Sequence, residues 1–109
     1  MKPKVIIQDS INIEDYKYKY LLLVEKKQIE STKMTPAQLA DEMEIKYKIK
    51  TTEIQELDCA EGFSMQTNSF ENFTIVLYKI YSNENFHYAD YILSCFRKIM
   101  LESYKYTTL

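Results

Sequence analysis

A single glycine, Gly62, and only two prolines, Pro3 and Pro36, stand in a chain of 109 residues. That scarcity removes most of the tight-turn chemistry on which many-stranded sandwiches, Gly-rich phosphate loops and dinucleotide-binding folds depend. A helix-rich α+β fold with a few strands is the architecture predicted. The length corresponds to one domain, residues 1–109, with one core. Hydrophobic residues at 46% and charged residues at 28% lie near globular averages, so the chain is expected to fold. It contains no internal repeat, linker or low-complexity stretch.

The longest apolar run, Leu21 to Val24, is far too short to span a bilayer, and the first residues show no basic segment leading into an apolar stretch. A cytoplasmic protein without membrane contact is expected. Cys59 and Cys95 are far apart and outside any CxxC pattern, and His87 is the one histidine, so no metal site is assigned. Both cysteines read as small apolar side chains on helix faces. His87 has no Ser or Cys nucleophile near it in sequence, and the acidic pairs Asp41–Glu42 and Glu14–Asp15 suit exposed helix positions. The chain is therefore read as a non-enzyme, with no catalytic residue and no cofactor.

The net charge is −2, which weighs against nucleic-acid binding, but it is unevenly distributed. Residues 1–50 hold ten lysines against eight acids, and residues 51–109 hold four basic residues against eight acids. A local basic face on an acidic protein is compatible with this split, and so is an acidic second half that opposes a basic partner.

The clearest local signal is Thr35-Pro36-Ala37-Gln38: an N-cap, a proline where its missing N–H does no harm, and a glutamine able to close a capping box. A helix starts there, with Leu39, Ala40 and Met43 inside and Asp41 and Glu42 in water. Before it, Asn12 offers a cap with Asp15 in the first turn. Residues 16–31 then fit either a strand, through the alternation of Tyr16, Tyr18 and Tyr20, or a helix carrying Tyr16, Tyr20, Leu23 and Val24 on one side. Helix is favoured. After Met43, Glu44–Lys50 reads either as a turn or helix, or as a strand with Ile45, Tyr47 and Ile49 on one face. Thr52 and Gln55 repeat the capping-box pattern, which predicts a helix over at least residues 52–60 ending near Gly62. Residues 63–81 form two strands around Asn68 and Ser69. A long C-terminal helix over 85–105 follows, apolar on two faces: Tyr88, Ile92, Cys95 and Ile99 on one, Leu93, Phe96, Met100 and Tyr104 on the other. Such a helix must be covered twice, and Tyr88, Ile92, Cys95, Phe96, Ile99 and Met100 are assigned to a homodimer interface.

The succession of helix, helix after Thr35-Pro36, basic connection, helix, hairpin and long helix resembles the winged helix-turn-helix family over about residues 13–80. Leu39–Ala40, Met43 and Ile45 fall where that family places the core of its second helix and the plug of its turn. Ile54 and Leu57 would follow in the third helix, and Gly62–Phe63 would open the wing. The resemblance implies a small winged-helix-like domain with three N-terminal helices, residues 35–62 forming the helix-turn-helix and 63–81 the wing. It further implies double-stranded DNA contact: Lys46, Lys48, Lys50 and Tyr47 on phosphates, Thr51, Thr52 and Gln55 on base edges, and Gln66, Asn68 and Asn72 from the wing. The expected role is a transcriptional regulator or an accessory factor for plasmid or phage DNA. The alternative role is a small acidic inhibitor or immunity-type protein of a mobile element that binds another protein through its second half, where ten tyrosines in the chain would suit an interface.

Overall fold

The structure is a computed structural model that describes residues 3–13, 16–64, 69–83 and 87–107. It is α+β. Strands β1 (Lys4–Ile13) and β2 (Tyr16–Glu25) are followed by helices α1 (Lys26–Glu30) and α2 (Pro36–Tyr47). Strands β3 (Glu53–Ser64) and β4 (Ser69–Ser82) come next, and helix α3 (His87–Thr107) ends the described chain. The strands form one antiparallel sheet in the order β1-β2-β4-β3, with two hairpins joined through their inner strands.

The expected three N-terminal helices are not present. Residues 16–25, expected as a helix, form an inner strand of the sheet. Tyr20, Leu22 and Val24 are buried on one side, while Leu21 and Leu23 are half-buried on the other. An inner strand has apolar neighbours on both faces, so it carries a continuous apolar run, which local reading cannot distinguish from a buried helix. Backbone pairing decides the matter, with β1 on one side and β4 on the other.

The expected third helix, residues 52–60, is also overturned: Thr52 precedes β3, and Glu53 onwards pairs with β4. Thr52 fastens the start of that strand, since its N–H and its hydroxyl both donate to the Lys79 carbonyl, at 2.8 and 2.9 Å. The supposed capping partner Gln55 instead donates to Glu53 within the strand. Gly62 is a strand residue beside a register irregularity, so it closes no helix. Strands of 10 to 14 residues need few turns, which reconciles a four-stranded sheet with one glycine.

Helix α2 begins as the sequence predicts. The Gln38 N–H donates to Thr35 Oγ1 at 3.1 Å, and the Thr35 N–H donates to Gln38 Oε1 at 2.8 Å. Leu39, Ala40 and Met43 are buried. The helix runs on through Tyr47 and stops at Lys48, which adopts the left-handed conformation with φ 59°. The Lys48 and Ile49 N–H groups return to the Glu44 and Met43 carbonyls, a closing pattern usually associated with glycine. Ile49, immediately after, is fully buried and plugs the end of the helix, whereas Ile45, assigned that part by the resemblance, is 76% exposed.

All three helices lie on one face of the sheet. Their buried residues Ile29, Leu39, Met43, Ile92, Phe96 and Ile99 join Tyr20, Leu22 and Val24 of β2 and Val76, Tyr78 and Ile80 of β4 in a single core, with Val5 and Ile7 of β1 packed at its edge. Two layers give a slab of 45 × 35 × 21 Å.

The open sheet face as candidate interaction surface

Strand alternation assigns the odd positions of β2, those of β3 from Glu53 to Leu57, those of β4 from Ile75 to Tyr81, and Lys4 and Ile6 of β1 to the face that the helices do not cover. The register places them in rows. Ile6, Leu21, Lys79 and Glu53 lie side by side across the sheet, the next row is Lys4, Leu23, Leu77 and Gln55, and the third is Glu25, Ile75 and Leu57. The middle of this face is therefore aliphatic: Leu21, Leu23, Ile75 and Leu77 on the two inner strands, with Ile6 and Leu57 beside them on the outer ones. Ile75 and Leu77 are 8% and 9% exposed, yet neither belongs to the core beneath the helices. Ile6 and Leu57 remain 42% and 43% exposed.

Lys4, Lys19 and Glu25 flank this patch, and the ion pair of Lys79 with Glu53 lies beside Leu21 within it. Lys79 donates to Glu53 at 3.0 Å. That bond, supported by a second from Gln55, holds the Glu53 carboxyl below its ordinary range. The outer strand β3 turns Glu56 and Asp58 to the helix side, where Lys26 reaches Glu56 at 3.1 Å and Thr74 donates to Asp58 at 3.1 Å. An edge strand studded with acids resists strand addition by another chain. The broad face, by contrast, is aliphatic across Leu21, Leu23, Ile75 and Leu77, and the Lys79 beside them is neutralised by Glu53.

The residues that the resemblance assigned to DNA do not assemble on a recognition helix. Lys46 is on α2, clamped between Glu42 at 3.1 Å and Glu102 of α3 at 2.9 Å, and those two carboxylates hold its ammonium above its ordinary range. Tyr47 is half-buried against the core, Lys48 is the left-handed cap, and Lys50 is exposed in the connection to β3. The Thr51 hydroxyl is buried, Thr52 is bonded to the Lys79 carbonyl, and Gln55 lies on the open face. Gln66 and Asn68 fall outside the described residues, and Asn72 is a residue of β4.

The helix face assigned to a homodimer is turned inward. Ile92, Cys95, Phe96, Ile99 and Met100 are buried within one copy, between the sheet and α2, and Tyr88 is half-buried with its ring edge-on to Tyr20 at 5.2 Å. The covering expected from a second subunit is supplied by the protein's own sheet.

Among the described residues, no group of three or more His, Cys, Asp or Glu side chains is placed to hold a metal, and no helix is long and apolar enough to cross a membrane. A depression of about 310 Å³ lies between Pro3, Gln28, Phe96, Arg97, Met100 and Leu101. It is lined mainly by apolar groups and brings no nucleophile or acid–base pair together.

The open face is not legible in any one segment, because its residues come from four strands and meet only across the sheet. The signal was nevertheless present in Leu21-Leu22-Leu23-Val24. A strand that is apolar at both odd and even positions needs both faces covered, and the helices cover one. No protein-family model matches the chain, and neither a curated protein nor a solved structure is matched by it.

Proposed function

We propose that this protein is a non-catalytic protein-binding module that works through the open face of its sheet. One observation carries the reading: an aliphatic patch formed by Leu21, Leu23, Ile75 and Leu77, with Ile6 and Leu57 flanking it, lies on the side of a two-layer slab that none of the described helices covers. Contiguous apolar surface rimmed by polar groups is a mark of interaction sites. Of the two roles considered from sequence, binding of a protein draws more support than binding of DNA. The patch is aliphatic with its Lys79 paired to Glu53, the net charge is −2, and Lys46 is already neutralised by two carboxylates. The acidic second half contributes the rim and the guarded edge at β3, while the apolar rows form the working surface.

The test is site-specific photo-cross-linking in cells that produce the protein. Benzoylphenylalanine replaces Leu21 on the open face in one sample and Arg97, exposed on α3, in the other. The expected outcome is a discrete protein adduct from position 21 and none of comparable yield from position 97. Equal, diffuse labelling from both positions would refute the reading.

A further inference from the structure

The face has a self-complementary pattern. Along β2, an inner strand, its open-face residues run Lys19, Leu21, Leu23, Glu25. If a second copy is laid face to face, with a two-fold axis crossing the strands midway between Leu21 and Leu23, its β2 runs antiparallel above the first. Leu21 then meets Leu23 of the other copy twice, and Lys19 meets Glu25 of the other copy twice. On β4 the same axis sets the stem of Lys79 over Leu77 and Ile75 over Tyr81. Lys79 takes its counter-ion Glu53 with it, at 3.0 Å, so no bare charge is sealed in. Sheets packed face to face at about 10 Å and about 30° keep such inner strands aligned near the axis while the edges diverge. This leaves Ile6 and Leu57 at the rim.

We infer that the occupant of the open face is a second copy of the chain, seated two-fold with β2 over β2, so that the working unit is a four-layer dimer with helices outside and two sheets within. This rests on the reading of the sheet face as an interaction surface, and it names the partner.

The experiment is size-exclusion chromatography with light scattering, from micromolar to sub-millimolar protein, on the wild type and four variants whose folding is verified by circular dichroism. The wild type is expected at twice 13.0 kDa and Leu23→Glu at the monomer mass. Lys19→Glu and Glu25→Lys each set like charges against each other twice and are expected to weaken association about tenfold or more. Glu25 makes no side-chain capping bond to α1, so reversing it removes no cap. Mixing Lys19→Glu with Glu25→Lys is expected to restore a dimer containing one of each, and the double variant Lys19→Glu/Glu25→Lys is expected to dimerise as the wild type does. Should Leu23→Glu fail to fold, the charge pair carries the test alone. A wild type that stays monomeric, a dimer that persists in folded Leu23→Glu, or charge variants that do not rescue one another would each overturn the inference. A monomer whose cross-linker at position 21 captures a different protein overturns the second copy and leaves the face an interface. A monomer with no capture overturns both.

Discussion

Leu22 and Leu23 are sequence neighbours on one strand, and the structure requires them to behave differently when truncated. Leu22 is fully buried beneath the helices, paired across the sheet with Val5 and Tyr78. Leu22→Ala should therefore lose both the transfer energy of the removed groups and the cavity term, about 3 kcal/mol. At about 2.1 cal/mol/K of unfolding entropy per residue, a chain of 109 residues shifts by about 4 °C for each kcal/mol, so the midpoint should fall by about 13 °C. Leu23 is half-buried on the open face between Lys4 and Leu77, and its truncation leaves no sealed cavity. Leu23→Ala should lose about 1 kcal/mol or less in the dissociated protein. Urea unfolding at low protein concentration, fitted with a common slope, measures both. Raising the concentration separates them further: the Leu23→Ala deficit should grow because association stabilises the wild type, while the Leu22→Ala deficit stays constant. Equal losses at low concentration, or the larger loss at Leu23, would refute the assignment of residues 16–25 to a strand with its even positions inward.

Two further outcomes follow from the core and the cap. Thr35→Ala removes the acceptor for the Gln38 N–H and should cost about 1 kcal/mol in urea unfolding; an unchanged midpoint would mean that α2 does not depend on its cap. Tyr78 donates to the Pro36 carbonyl at 2.8 Å, and burial raises its phenol above the ordinary value of 10.0. Because the folded form holds this proton more tightly than the unfolded chain, its contribution is complete below that value and is lost as pH rises through the alkaline range. Tyr78→Phe should cost about 1 kcal/mol at neutral pH, and its thermal midpoint should fall less steeply than that of the wild type above pH 10; parallel curves would contradict the buried hydrogen bond.

The features readable from sequence are those made by residues close together in the chain. The Thr35–Gln38 capping box spans three residues and forms wherever α2 starts, and the apolar repeat of α3 places Ile92, Phe96 and Ile99 on an inner face whatever they meet. The Phe73–Ile75–Leu77 alternation identifies a strand. Tertiary structure alone decided residues 16–25 and 53–60. The helical spacing of Ile54 and Leu57 and the run Leu21–Val24 satisfy both templates locally, and the choice is made by backbone groups on β4 that pair with β2 and β3. The end of α2 was equally undecided from sequence, because Lys48 accepts a left-handed conformation only when Ile49 has a core to enter. The same holds for the surface assigned here. Lys19, Leu21, Leu23 and Glu25 are already in order in the sequence, but it takes a sheet of four strands, covered by helices on one side only, to turn that order into an open apolar face. Local propensity set the individual elements, and pairing between distant strands determined which of their faces stayed open.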